Sequence, residues 1–300
     1  MKTLELILDE DTAFQPLDYV LKKHLGLTKR QISQAKFREK GICINGEKQR
    51  ISYVGRPGEI LTVCLEEQET DCGKVAPLDG ELEILYEDED ILAVNKPSGI
   101  ACHPGRGHYR DSLGNLAAGL FEKRGEPRPV RIIGRLDRDT SGVVILAKSQ
   151  TAGARLGEQK EKGIFQKEYL GIVKGRLENH EGRIQEPIGK IPGEKMKMQV
   201  DARGKRADTR YEVREFLDNA TVTAWEIYTG RTHQIRVHMA WLGHPLLGDM
   251  LYGDGENPYF SGLALHCRRA VFCQPFTGEK IEVLASPHHW GRIENPKRSL

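Results

Sequence analysis

No stretch of this sequence approaches the roughly 18 consecutive apolar residues that a membrane-spanning helix needs, which excludes a helical membrane protein. The opening Met1-Lys2-Thr3-Leu4-Glu5 lacks the apolar core of a secretory signal, and the expected location is the cytoplasm. The six cysteines, Cys43, Cys64, Cys72, Cys102, Cys267 and Cys273, form no C-x-x-C pair. Their spacing gives a zinc site little support and reads as structural thiols in a reducing compartment. A glycine-rich dinucleotide fingerprint and a phosphate-binding P-loop are both missing. No metal-ligand cluster stands out, so neither a cofactor nor a metal is expected. There is no internal repeat. An excess of one charge is missing too: 45 Lys and Arg against 43 Asp and Glu leave a formal net charge of +2, which by itself says nothing about nucleic acid.

What is present is a 300-residue chain with 29% charged residues and a mean hydropathy of −0.51, the profile of a soluble globular protein. That length suits one large domain, or a small domain beside a catalytic one, and buries enough surface to need no disulfide or metal staple. The distribution of charge is more informative than its sum. Between residues 17 and 50 lie Lys22, Lys23, Lys29, Arg30, Lys36, Arg38, Lys40, Lys48 and Arg50, opposed only by Asp18, Glu39 and Glu47. Leu17, Val20, Leu21 and Leu25 recur at helical spacing until Gly26 breaks the pattern. Thr28 then suits the N-cap of a second helix carrying Ile32, Ala35 and Phe37, which Gly41 would end. Ile42 and Ile44 with the Asn45-Gly46 turn read as strand and hairpin, and residues 59–65 as a further strand. On charge alone this also reads as a solvated helical face, beside the sharper reading of a surface that contacts an RNA backbone. The order of elements, with Leu27-Thr28-Lys29-Arg30-Gln31-Ile32 and Gly41-Ile42-Cys43-Ile44-Asn45-Gly46, resembles the S4-like RNA-binding domain over residues 14–65. That resemblance implies an α/β fold and makes Lys29 and Arg30 RNA contacts.

Residues 66–80 hold Glu66, Glu67, Glu69 and Asp71, then Pro77 and Gly80, with no apolar period; they read as a linker. Beyond it, residues 81–290 are strand-rich. Leu82-Glu83-Ile84-Leu85-Tyr86 and Ile91-Leu92-Ala93-Val94 flank an acidic turn. Gly142-Val143-Val144-Ile145-Leu146-Ala147 is an unbroken apolar run, as in a strand buried on both faces. Residues 169–173 and 221–227 are further strands, with helices around 111–123, 150–162 and 232–242. The pattern predicts an α+β domain on a mixed, mostly antiparallel sheet.

Three segments concentrate reactive side chains. Arg135-Leu136-Asp137-Arg138-Asp139-Thr140-Ser141-Gly142 precedes the buried strand, where a sheet holds loop residues rigid. Taken alone, it also reads as a surface loop with local Arg–Asp pairs worth little. In Phe165-Gln166-Lys167-Glu168-Tyr169, alternation puts Lys167 and Tyr169 on one face of a strand; a lone tyrosine of this kind is ordinarily core. In Thr229-Gly230-Arg231-Thr232-His233-Gln234-Ile235-Arg236-Val237-His238, a strand turns at Gly230 into a helix on which Arg236 shares a face with His233. The start of that helix favours phosphate; alone, it reads equally as an amphipathic surface helix.

Together the three segments resemble the RluA-type family of RNA pseudouridine synthases, across nearly all of residues 82–290. Asn95-Lys96-Pro97-Ser98-Gly99, Gly243-His244-Pro245-Leu246-Leu247-Gly248-Asp249 and Tyr252-Gly253 belong to the same resemblance. It implies the pseudouridine synthase fold, with Asp137, not Asp139, as the essential catalytic residue. It implies that Tyr169 contacts the target base and that Arg236 pairs with the catalytic carboxylate. Arg135 would hold the RNA with the base displaced, and Thr140, Lys167, Arg231 and His233 would contribute to substrate binding. One position departs: RluA-type members usually carry His before Arg-Leu-Asp, and this chain has Gly134, as in the related RsuA-type branch.

Pseudouridine formation breaks the N1–C1′ bond of uridine, turns the uracil and joins C5 to C1′, with no redox change and no group gained or lost. A carboxylate near C1′ stabilises positive character there or attacks it, and a free aspartate is ionised at neutral pH. The tyrosine would stack on the uracil and guide proton removal at C5. The nucleotide must leave its stack, at a few kcal/mol, and basic groups would grip phosphates without reading sequence. The expected partner is RNA, ribosomal RNA of the large subunit first and transfer RNA as the alternative, with the protein a monomer. Two other readings are a noncatalytic RNA-binding protein on a degenerate synthase fold, and a glycoside hydrolase using Asp137 and Asp139. Residues two apart in an extended loop point apart, which disfavours the latter.

Overall fold

A computed structural model describes residues 2–65, 75–105, 109–126, 128–194, 196–287 and 290. The chain divides into two compact units, Met1–Asp71 and Cys72–Leu300.

In the first unit, α1 (Leu17–Lys23) and α2 (Lys29–Lys36) sit with a four-stranded antiparallel sheet. Its strand order is β1 (Lys2–Ile7), β4 (Ile60–Leu65), β2 (Ile42–Ile44), β3 (Glu47–Lys48). Thr28 caps α2 in a full capping box: its hydroxyl accepts from the Gln31 amide, and the Gln31 side chain accepts from the Thr28 amide. Leu17, Val20, Leu21, Ile32 and Ala35 are buried, as the helical spacing predicts. Phe37 departs from that expectation: it caps α2, which ends at Lys36, and its ring is 77% exposed. Strand β1 was not legible, and it extends this unit well before residue 14 by pairing with β4 along its whole length. The acidic half of the expected linker, residues 66–74, lies outside the described residues. The remainder is not loose. The Leu78 amide donates to the Asn115 carbonyl at 2.9 Å, and the Asn115 side chain donates to the Ala76 carbonyl at 2.7 Å.

The second unit is built on one mixed sheet, ordered β10 (Glu181–Ile184), β13 (Thr209–Phe216), β14 (Ala220–Ile227), β9 (Gln166–Lys174), β15 (Leu265–Cys273), β8 (Ser141–Ala147), β6 (Ile91–Lys96), β5 (Glu83–Glu87). Two further strands leave this path: β16 (Lys280–Leu284) pairs with β15, and β7 (Arg131–Ile133) pairs with β8. A separate hairpin joins β11 (Ile188–Lys190) to β12 (Met198–Val200). Helices α3 (Leu113–Lys123), α4 (Gln150–Glu161) and α5 (Gln234–Trp241) complete the unit. Ser112 and Ser149 cap α3 and α4 by accepting backbone amides at their third positions.

The apolar run expected to be doubly buried is β8, buried at every position. Every pairing in the large sheet is antiparallel except β8 with β15, through Ser141↔His266 and Cys267↔Gly142. One edge of β8 is therefore shared, taken by β15 at its start and by β7 at Ile145–Ala147. The connection from β7 to β8, residues 134–140, emerges where this edge changes hands. Gly142 makes the junction possible. Its φ is +112°, and a Cβ there would lie 2.2 Å from the Cys267 carbonyl oxygen.

Candidate active site

Segment 134–140 has no ladder of its own, so its backbone groups must find partners elsewhere. Most of them come from residues 96–102. Lys96 is fully buried, and its ammonium donates to the carbonyls of Pro97 (2.8 Å), Ile100 (2.9 Å) and Arg138 (2.9 Å). The Gly99 amide also donates to the Arg138 carbonyl, and the Ser98 hydroxyl donates to the Asp139 carbonyl at 2.7 Å. The Cys102 thiol grips Leu136 twice, accepting from its amide at 3.2 Å and donating to its carbonyl at 3.3 Å. At the other end Lys167 donates to the Gly134 carbonyl at 2.7 Å and to Val143 at 3.3 Å. The Asp137 backbone is thereby held on both sides.

Gly134, the departure from the family pattern, has a φ of +67°. A Cβ there would meet Lys167 only at ordinary contact distance, 3.6 Å, so the backbone conformation rather than space favours glycine.

A cavity of about 880 Å³ opens over this loop. Its lining includes Arg135, Asp137, Thr140, Lys167, Tyr169, Arg231, His233 and Arg236, so the structure brings together all the candidate residues of the second unit. Lys29 and Arg30 lie exposed on the first unit. Among the described residues, no hydrogen bond or ion pair engages the Asp137 carboxylate. Asp139 instead faces Arg138 at 3.0 Å in a partly exposed local pair. The surface-pair reading therefore fits Asp139 and not Asp137.

The expectation that Arg236 pairs with Asp137 is corrected. Its Nε and second guanidinium nitrogen hold the two oxygens of Asp249 at 2.8 and 2.7 Å, with both side chains buried. Asp249 has a further draw, accepting the amides of Leu251 and Tyr252, so a guanidinium arriving there meets a carboxylate already oriented. Burial opposes both charges, but the paired hydrogen bonds outweigh it, raising the Arg236 pKa and lowering that of Asp249. Asp137 adds its charge to the same field without a bond.

Tyr169 lies on β9 between Trp225 and Cys267 of the flanking strands, and it shares a buried face with Lys167, as alternation predicts. Burial, followed by the nearby Cys267 and Asp137, pushes its hydroxyl well above the ordinary value. The phenol stays protonated at neutral pH and presents a hydrogen-bond donor to the cavity. Lys167 spends its ammonium on two backbone carbonyls. Thr140 is buried, and its hydroxyl has no hydrogen-bond partner among the described residues.

The turn into α5 is wired by Gln234, which accepts from the Arg231 amide (3.0 Å) and the Thr229 hydroxyl (2.7 Å) and donates to the Asp208 carbonyl and the Thr209 hydroxyl. His233 precedes the helix at φ +57°, a strained conformation for histidine costing about 1–2 kcal/mol. Its Nδ1 lies 2.8 Å from the Tyr252 hydroxyl, which accepts the Met198 amide. Burial lowers its pKa, opposed by Asp137 and assisted by Arg236. Sequence reasoning quoted Lys96, Asp249 and Tyr252 within motifs but gave them no role, and it read Cys102 and Cys267 only as structural thiols, without placing them beside the loop or the tyrosine. A buried lysine and a buried acid inside dense motifs were the available signal; the cysteines gave none.

Burial, against the smaller charges of Cys102, Asp139 and Asp137, depresses the Lys96 ammonium from 10.5 to about 8. The unfolded chain therefore keeps a proton there, between these values, that the folded chain has shed, so this group's stabilising contribution is complete above 10.5 and lost as pH falls through about 8. In urea melts from pH 7.5 to 10, the stability of the native protein relative to Lys96→Met should rise with pH. Parallel curves would show that Lys96 titrates alike in both states.

The RNA pseudouridylate synthase family model matches residues 90–241, half of the chain. A Bacillus subtilis RNA pseudouridine synthase, YjbO, is 37% identical over 86% of this chain and 90% of its own. The ribosomal large subunit pseudouridine synthase C of Pasteurella multocida is 36% identical over 93% of this chain and 89% of its own. Synthase D of Vibrio cholerae is 36% identical over 80% and 78%. Among solved structures, human RNA pseudouridylate synthase domain containing 1 superposes with a TM-score of 0.58 at 26% identity, over 70% of this chain and 86% of that one. With its motifs gathered around one cavity and these relatives matching most of its length, the chain belongs to the RluA-type RNA pseudouridine synthases and is an isomerase acting on RNA.

Proposed function

We propose that this enzyme converts uridine to pseudouridine in large-subunit ribosomal RNA, with Asp137 as the group that acts at C1′. The observation that carries the site assignment is the Asp137 carboxylate itself. Among the described residues it lines the cavity with no hydrogen-bond or ion-pair partner, while its backbone is fastened on both sides and Asp139 and Asp249 are each paired with an arginine. A charge kept unpaired but rigidly aimed is what stabilisation of a developing cation, or attack on it, requires. Departure of uracil from C1′ leaves an electron deficiency that the carboxylate meets. The uracil turns, C5 bonds to C1′, the C5 proton leaves and N1 gains a proton, so atoms and charge balance.

Tyr169 provides a surface for the uracil and guides proton removal at C5; burial keeps its hydroxyl protonated before substrate arrives. Arg236 acts on Asp137 through the field of its pair with Asp249. Arg135 holds the RNA with the base displaced, and Thr140, Arg231 and His233 border the nucleotide. Lys167 serves by positioning the loop. The first unit is an S4-like RNA-binding domain whose exposed Lys29 and Arg30 touch phosphates. The enzyme works as a monomer in the cytoplasm. The ribosomal target rests on relatives named for the large ribosomal subunit.

Asp137→Asn keeps the shape and removes the charge. Turnover, read as tritium released from uridine C5 in RNA, should fall on the order of a thousandfold, about 4 kcal/mol of barrier, while RNA binding persists. Asp139→Asn should be far milder, and equal losses would sink the assignment. Mapping pseudouridines in a strain lacking the gene should reveal missing sites in large-subunit ribosomal RNA; losses confined to transfer RNA would refute that target. Lys29→Gln combined with Arg30→Gln should weaken RNA binding and flatten its log–log salt dependence by roughly 0.7 per contact, leaving the single-turnover rate at saturating RNA nearly unchanged. An unchanged slope would make that face solvated surface only.

A further inference from the structure

Lys160 has no part in the motifs described above. It stands one residue before the end of α4 and lines the same cavity as Arg135 and Arg231. Its ammonium lies against Gly230, where an added Cβ would come within 3.8 Å of it. Three cations from three separate segments thus border one side of the cavity, and what each of them binds is informative. Arg135 donates to the Thr232 hydroxyl at 3.2 Å, and Arg231 donates through Nε to the Arg206 carbonyl at 2.9 Å. Both partners are neutral. Among the described residues, none of the three makes an ion pair.

Lys162, two residues along from Lys160, pairs with Glu158 at 2.7 Å. Of the carboxylates bordering the cavity, Glu168 faces Arg268 and Arg269 and Glu226 accepts the Tyr228 hydroxyl, while among the described residues Asp137 and Glu161 pair with none of the three cations. Partial burial, then the positive charges of Lys167, Arg135 and Arg231, hold the Lys160 ammonium below its ordinary value, although the side chain as a whole remains exposed. Like charges gathered without a counter-charge repel one another, and an anion placed among them removes that penalty. Guanidinium and ammonium donors left with neutral partners are suited to phosphate oxygens.

We propose that Lys160 completes a phosphate clamp with Arg135 and Arg231, holding a backbone phosphodiester of the RNA strand beside the target uridine. The proposal rests on the synthase reading of the cavity and adds a binding residue to it. Lys160 touches the backbone and not the base, so it contributes affinity and register without selecting sequence. It is too far along α4 to belong to any of the sequence segments that carry the chemistry.

The test uses the full chain and unmodified transcripts of ribosomal and transfer RNA, with pseudouridine formation and binding measured across a salt series. Lys160→Gln should bind the modified transcript roughly tenfold more weakly, the loss of one hydrogen bond to a charged group. Its log–log salt slope should flatten by roughly 0.7, with the single-turnover rate at saturating RNA little changed. Lys160→Arg should restore both affinity and slope. Lys162→Gln, removing an equal charge two residues away, should leave the slope as it was. Wild-type modification together with an unchanged slope in Lys160→Gln would overturn the clamp alone, as would an equal effect in Lys162→Gln. No pseudouridine from the wild-type enzyme on any transcript would overturn the synthase reading, and the clamp with it.

Discussion

Two buried ammonium groups hold the loop on which the rest of this site depends. Lys96 reaches from β6 to the Arg138 carbonyl, and Lys167 reaches from β9 to the Gly134 carbonyl. The loop between them leaves a shared strand edge and could not satisfy its own backbone groups. An ammonium offers three donors from one point, so a single side chain can gather carbonyls from segments that no sheet ladder joins. Lys96 does this for Pro97, Ile100 and Arg138 together. Its burial is costly, and its lowered pKa is the visible sign of that cost. The return is a fixed backbone on either side of Asp137, which the role proposed for it requires, because catalytic groups lose much of their effect when misplaced by about an ångström.

The opposite wall is fixed by a different device. Asp249 receives two backbone amides and a bidentate guanidinium, so the first turn of α5 is tied to the segment that follows it. His233 is held in a left-handed conformation at the mouth of the same helix, leaning on Tyr252, which is itself anchored by Met198. Strain of this kind survives only where surrounding bonds over-determine it, and here Gln234 supplies four of them. The acid and the arginine of this wall satisfy each other, so the pair acts on Asp137 through its field without bonding to that carboxylate.

Much of this was legible from the chain alone. The capping box at Thr28, the buried run of β8, the shared face of Lys167 and Tyr169, and the α+β class all follow from local period and local chemistry, which operate over a few residues. The segments that converge on the cavity were identifiable because they are dense in polar groups beside apolar strands. Other elements were hidden for identifiable reasons. In β15 a register shift between Cys267 and Arg269 breaks the alternation and leaves Arg268 and Arg269 together mid-strand, so the pattern does not read as a strand. β1 becomes visible only through its partner β4, 53 residues away at the nearest pairing, Ile7↔Ile60.

Local chemistry along the chain set which residue types were available and which short segments would form helix or strand: Asp137 ahead of a buried strand, Tyr169 facing inward, Arg236 on a helix after a glycine turn. Only the tertiary structure decided the pairings. It gave Arg236 to Asp249 and left Asp137 unpaired, tied Asp139 to its neighbour, assigned Lys167 to backbone carbonyls, and set Lys160 beside Arg135 and Arg231. The reason is physical. Helical and strand propensities are local, whereas a charge takes whichever partner the fold brings within about 3 Å, and those partners lie tens of residues apart along the chain.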